Sequence, residues 1–180
     1  MHTEIEERVL EIDKDKVIKK LEELGATKAG EWFQKRYTYD FSPKREGQWI
    51  RLRTNGEETT LTYKNVESNA IDGTKELEIV VSSFEETNEM LEVLGYKHKN
   101  YQENKRIRYY LNDVEIDIDT WPMIPTYMEF EADSIEKIKE VEELLEVDKS
   151  KLTTLFCDDI ATEIYGIDIN SVKELKFEEE

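Results

Sequence analysis

Charged side chains spaced two residues apart run through this sequence, and their chemistry is that of phosphate and of hard cations. Glu4, Glu6 and Arg8 open the series, followed by Arg51 and Arg53, Glu76 and Glu78, Arg106 and Arg108, Glu115, Asp117 and Asp119, and Glu129 and Glu131. Arginines held two apart suit forked contacts to phosphate oxygens. Carboxylates held two apart, with no histidine nearby, suit oxygen-loving ions such as Mg²⁺ or Mn²⁺. A chamber lined by both would bind a metal-complexed polyphosphate.

A spacing of two puts side chains on one face of a β-strand, roughly 7 Å apart. Each charged pair has an apolar counterpart on the opposite face: Ile5 and Val9, Ile50 and Leu52, Leu77 and Ile79, Ile107 and Tyr109, Ile116 and Ile118, Met128 and Phe130. Strands are therefore expected over 3–12, 31–41, 49–54, the segment after Asn55-Gly56, 75–81, from 101, 114–119 and 127–131. Asn55-Gly56 is a tight-turn signal, which makes the strand carrying Thr60, Thr62 and Lys64 the antiparallel partner of the arginine strand. Asp13, Ser83 and Ser134 each precede an apolar repeat of three and four, which predicts three amphipathic helices, the first two closed by Gly25 and Gly95. Short helical segments are expected between 152 and 165.

The chain has 180 residues, enough for one domain with a real core. Its net charge of -18 repels nucleic acid and acidic membranes. A single cysteine, Cys157, excludes an internal disulfide and a cysteine zinc cluster, while His2 and His98 are too few for a histidine metal site. The absence of a signal peptide or long apolar run points to a soluble, cytoplasmic protein. Residues 1–170 are expected to form one domain, and the charged tail 171–180 to fray.

Two architectures suit strands with one charged and one apolar face. One is an open antiparallel sheet with a wet side. The other is an α+β fold: an eight-stranded antiparallel barrel with a charged interior, its apolar outside covered by the helices. The ordered pairing of arginines and acids favours the barrel, because an exposed face mixes its charges.

These residues resemble the CYTH domains, or triphosphate tunnel metalloenzymes, among them class IV adenylate cyclases, thiamine triphosphatases and inorganic tripolyphosphatases. Glu4-x-Glu6-x-Arg8 is similar to the family's N-terminal Glu-x-Glu-x-Lys, with arginine in place of lysine. Arg51 and Arg53 match its Arg-x-Arg strand, Lys64 its lysine after the hairpin, Glu76 and Glu78 its Glu-x-Glu strand, and Asp119 to Glu131 its closing segment. The family's Lys-x-Arg strand falls either on Arg106 and Arg108, or on Arg106 with Asn104 or Lys105 at the lysine position.

The resemblance implies a tunnel in which Arg8, Arg51, Arg53, Lys64, Arg106 and Arg108 bind a nucleoside or inorganic triphosphate. It implies Mg²⁺ or Mn²⁺ on Glu4, Glu6, Asp119, Glu129 and Glu131, supported by Glu76, Glu78 and Asp117, with Glu4, Glu6 and Arg8 counted as catalytic. Segments 101–106 and 116–119 look most like the class IV cyclase branch, which makes ATP cyclisation the first reading and tripolyphosphate hydrolysis the second. A module that binds a nucleotide or polyphosphate without turnover is the reading of another class, to which Arg8 points. The aromatics of 31–41 read as packing, Trp121 beside Pro122 as a loop anchor, and Cys157 as buried and inert. The helix at 136–146 has an apolar stripe that would serve the core or a homodimer.

Overall fold

The computed structural model describes residues 1–169 and 171–178. Its strands are β1 (His2–Val9), β2 (Thr27–Asp40), β3 (Gln48–Thr54), β4 (Thr59–Val66), β5 (Thr74–Val81), β6 (His98–Leu111), β7 (Val114–Thr120) and β8 (Tyr127–Ala132), with two-residue strands β9 (Leu152–Thr153) and β10 (Glu174–Leu175). The first eight are hydrogen-bonded in the order β6-β2-β3-β4-β5-β1-β8-β7, and β7 pairs back to β6. Every pairing in that ring is antiparallel, so the sheet closes into a barrel without a free edge in the ring. Its weakest seam lies between β1 and β5, which share only His2 to Glu4. There Ile71 accepts a backbone hydrogen bond from Glu6, and β9 pairs with Arg8 and Val9, filling the gap.

Three helices cover the outside: α1 (Lys14–Glu23), α2 (Phe84–Val93) and α3 (Ile135–Leu145). Asp13, Ser83 and Ser134 cap them, each side chain accepting from the backbone N–H three residues on. Leu21 of α1 and Ile138 and Val141 of α3 pack on the outer faces of β1, β6, β7 and β8, against Val9, Ile107, Ile116, Ile118, Met128 and Phe130. Thus the apolar stripe of α3 is used against the barrel. Phe84 and Leu91 of α2 cover Tyr39 and Leu52, and Phe84 stacks on Tyr37 at 5.0 Å. A third cluster packs Leu10, Trp121, Ile124, Tyr127 and Ile160 together. Within it, α4 (Cys157–Asp159) runs into a π-helical turn, Ile160–Ile164. No helix among the described residues is long and apolar enough to cross a membrane.

Three expectations are corrected. Strand β1 ends at Val9 rather than near residue 12, because Glu11 turns into the left-handed region ahead of the α1 cap. Strand β2 begins four residues early, at Thr27, with a register shift between Lys28 and Gly30. Gly30 belongs there because a Cβ would lie 2.3 Å from the Trp32 ring. The described part of the tail does not fray: Glu174 and Leu175 pair parallel with Tyr101 and Gln102, Leu175 is buried, and the Phe177 N–H donates to Glu103. Glu179 and Glu180, which belong to the same expectation, lie outside the described residues.

Candidate active site

Because a strand alternates, each residue's parity decides which side of the barrel it sees. Even positions of β1, β4, β5 and β6 and odd positions of β3, β7 and β8 turn inward. The inner chamber, about 280 Å³, is lined by Glu4, Glu6, Arg8, Arg51, Arg53, Lys64, Glu76, Glu78, Arg106, Arg108, Glu129 and Glu131. Asp117 and Asp119 sit just behind the lining, 2% and 0% exposed, holding its arginines. All fourteen candidate residues therefore meet in one place. The arginine strand's ambiguity is also resolved: Asn104, Arg106 and Arg108 share the inner face, and Lys105 lies outside with its ammonium over the Phe177 ring.

The cations and acids are interlocked. Lys64 Nζ sits 2.8 Å from Glu4 and 3.0 Å from Glu76. Arg8 Nη2 lies 2.8 Å from Glu6 and 2.6 Å from Glu129. Arg106 makes a forked pair with Asp119 and reaches Asp117, and Arg108 forks onto Asp117 and reaches Glu115 at 2.6 Å. Asn104 adds a bond to Asp119 at 2.9 Å, so both Asp119 oxygens are taken. Asp119, expected among an ion's ligands, is thus engaged by Arg106 and Asn104 in this structure.

Charge is divided unevenly around the wall. On the side of β1, β8 and β7, Glu6 is directly across from Glu131, and Glu131 across from Glu115. Like charges opposed in this way destabilise a sheet unless something neutralises them. Burial, then Glu115 and Glu129, push Glu131 up to about 7, and one oxygen of Glu6 is buried without a partner. Burial likewise lifts Glu4 to about 8, partly offset by Lys64. Glu129 behaves differently: burial alone would raise it, but Arg8 and Arg106 hold it well below the usual range. Among the described residues no three histidine, cysteine, aspartate or glutamate side chains already converge as a metal shell. The orphaned Glu6 oxygen and the opposed row Glu6-Glu131-Glu115 nevertheless fit a hard divalent ion, which would replace repulsion by shared coordination.

The β2 and β3 side has the opposite excess. Arg51 and Arg53 share Glu78, at 3.3 and 3.8 Å, and Arg51 has Glu76 only at 3.8 Å. Burial, followed by the charges of Arg51 and Arg106, brings the Arg53 guanidinium down to about 9. Such a surface is short of negative charge.

A second chamber of about 360 Å³ adjoins the first, with Arg36, Arg51, Lys64, Phe156 and Cys157 lining both. Phe156 stands beneath Arg8 and Lys64, 4.8 and 5.2 Å from its ring, and meets Trp49 edge-on at 5.3 Å. Cys157 is buried, and burial raises its thiol far above the ordinary range, so it has no nucleophilic character here. The sequence reading assigned no site role to Arg36, Glu115, Trp49 or Phe156. Glu115 was legible, since it continues the Asp117 and Asp119 alternation. Phe156 was not, as it comes from an irregular segment.

A closed antiparallel barrel whose lumen carries clustered arginines and carboxylates is the architecture of the triphosphate tunnel class. The CYTH domain model matches residues 2–156, and the chain belongs to that family. No curated protein matches it. Among solved structures, the PH1012 protein of Pyrococcus horikoshii OT3 superposes with a TM-score of 0.76 at 21% identity, covering 85% of this chain and 96% of that one. A candidate adenylate cyclase from Vibrio parahaemolyticus gives 0.75 at 13% identity, covering 89% and 98%. HpAC1 of Hippeastrum, a candidate adenylyl cyclase with a dominant triphosphatase activity, gives 0.61 at 13%, covering 93% and 97%.

Proposed function

We propose that this chain is a divalent-metal-dependent enzyme acting on a triphosphate held in the tunnel, and that it converts ATP to cyclic AMP and pyrophosphate. The observation that supports it is the separation of charge inside one closed chamber. Phosphoryl transfer needs little from a protein beyond positioning and charge stabilisation, and the two walls supply both.

In this reading Arg51, Arg53, Lys64, Arg8, Arg106 and Arg108 hold and orient the phosphates. Glu4, Glu6, Glu129 and Glu131, joined by Glu115, would hold Mg²⁺ or Mn²⁺, while Glu76, Glu78, Asp117 and Asp119 fix the cations. The ion, when bound, neutralises phosphate oxygens and the charge that develops on them. The ribose 3′ oxygen attacks the α-phosphorus, the bond from that phosphorus to the bridging oxygen of the β-phosphate breaks, and pyrophosphate leaves. The 3′ proton passes to a carboxylate of the acidic wall. Room for the nucleoside is the reason for placing cyclisation first: the outer chamber continues from the inner one and carries Trp49 and Phe156, which suit a flat base.

Hydrolysis of inorganic tripolyphosphate is the second reading, favoured by an inner chamber of about 280 Å³ that holds a phosphate chain without an organic group. The triphosphatase activity of HpAC1 points the same way.

Purified protein with ATP or with tripolyphosphate, each with Mg²⁺ or Mn²⁺, separates the readings by product, with Glu4→Ala/Glu6→Ala as the blank. Cyclic AMP and pyrophosphate, absent from the blank, are the expected result. Orthophosphate from tripolyphosphate without cyclic AMP assigns the hydrolase. Binding without any product would overturn the enzymatic reading and leave a binding module.

A further inference from the structure

Arg36 is the one cation of the inner chamber, among the described residues, that the carboxylates do not answer. Among the described residues, Arg8, Arg51, Arg53, Lys64, Arg106 and Arg108 each have an acid at 3.8 Å or closer. Arg36 has no ion-pair partner among those residues: its side chain makes one hydrogen bond with them, from Nη2 to Asn104 Oδ1 at 3.1 Å, and its Nε is buried without a partner. The guanidinium is held over the Trp121 ring at 4.1 Å, so its position is fixed by packing and not by charge. Directly across the strand pair stands Arg53, another cation. Burial, then the nearby charge of Arg51, lowers the Arg36 guanidinium from its ordinary range.

An enclosed cation costs free energy unless an anion faces it, and a like charge across the sheet adds to that cost. Arg36 also lines both chambers, which places it at their junction. We propose that Arg36 is a further phosphate-binding residue, which with Arg51 grips the phosphate nearest the outer chamber and so directs the rest of the substrate into it. The proposal rests on the triphosphate reading above. The protein leaves one guanidinium uncompensated because the ligand completes it.

The test is titration of inorganic tripolyphosphate into wild type and Arg36→Met in EDTA, with thermal melting of both. Arg36→Met is expected to bind about tenfold more weakly or worse, the scale of a lost charged hydrogen bond, while its ligand-free melting temperature stays equal or rises. A residue kept only for packing on Trp121 would instead lower the melting temperature and leave affinity intact. Affinity equal to wild type overturns the role of Arg36 alone. If wild type itself fails to bind tripolyphosphate, with Mg²⁺ as well as in EDTA, the triphosphate reading falls and this inference with it. Should Arg36→Met not fold, Arg36→Lys decides: it keeps the charge but loses the fork, so a partial loss is expected and unchanged affinity is the contrary result.

Discussion

The two walls of the tunnel are built from the same alternation and do opposite things. Along β1, β8 and β7, acids face acids across the strands, as Glu6, Glu131 and Glu115 do, and burial pushes Glu131 up to about 7. Along β2 and β3, Arg36 faces Arg53 with Arg51 beside them, and Glu78 is the nearest acid to either β3 arginine. A protein optimised for stability alone would have mixed these charges, because opposed like charges cost free energy. The cost is borne at the two places where a metal and a phosphate would each remove it. Between the walls, Lys64 and Arg8 bridge both excesses, each held by two carboxylates.

Breaking the acidic wall should have the largest effect. Glu6→Gln/Glu131→Gln removes the proposed coordination while leaving the hydrogen-bonding shape. Turnover with Mg²⁺ should fall at least ~100-fold, the scale of losing an electrostatic stabiliser, while tripolyphosphate binding in EDTA persists. Loss of EDTA binding in that variant would show that the walls do not divide the work. The arginine wall should respond the other way round. Arg51→Met/Arg53→Met is expected to abolish binding in EDTA, read by calorimetry, and retained affinity would put the phosphates elsewhere.

The outer chamber sharpens the comparison between substrates. Trp49→Ala should raise KM for ATP by about tenfold, within the range of base stacking on an aromatic ring, and leave tripolyphosphate kinetics unchanged. Equal effects on both would remove the nucleoside from that chamber.

The smallest effect concerns a buried acid outside the tunnel. Glu142 of α3 is 1% exposed, and Lys139 pairs with both it and Glu7. Burial, then a hydrogen bond with Glu7, raises Glu142 from 4.5 to about 7. Its folded form therefore holds a proton that the unfolded chain releases, so the stability it contributes is complete below about pH 4.5 and is lost as pH rises through 7. Glu142→Gln, which keeps the neutral shape, should flatten the fall in melting temperature between pH 5 and 8. An unchanged slope would place that fall in the tunnel acids.

Much of this was legible because period-two charge leaves little choice of face. A one-residue slip would send Arg51, Arg53, Glu129 and Glu131 outward against the apolar packing and turn Leu52, Met128 and Phe130 into the charged lumen, so those residues and the barrel they line could be read from spacing. Arg36 escaped for a physical reason: it has no charged residue two positions away in a strand whose aromatics, Tyr37 and Tyr39, dominate, and only its parity with Gln34 and Thr38 marks it as inward. Phe156 reaches the chamber from an irregular segment, where no period applies. The tail failed for a related reason: Val172, Leu175 and Phe177 are three apolar residues among charges, too few to announce a strand, yet enough to dock one beside the stretch of β6 that extends past β7.

The central claim is that the tunnel is a split receptor, with arginines for phosphate and acids for metal. Calorimetric titration of tripolyphosphate into the wild-type protein, first in EDTA and then in Mg²⁺, tests it most directly. Measurable binding in EDTA that tightens when Mg²⁺ is supplied is the predicted result. Absence of binding under both conditions would contradict the account.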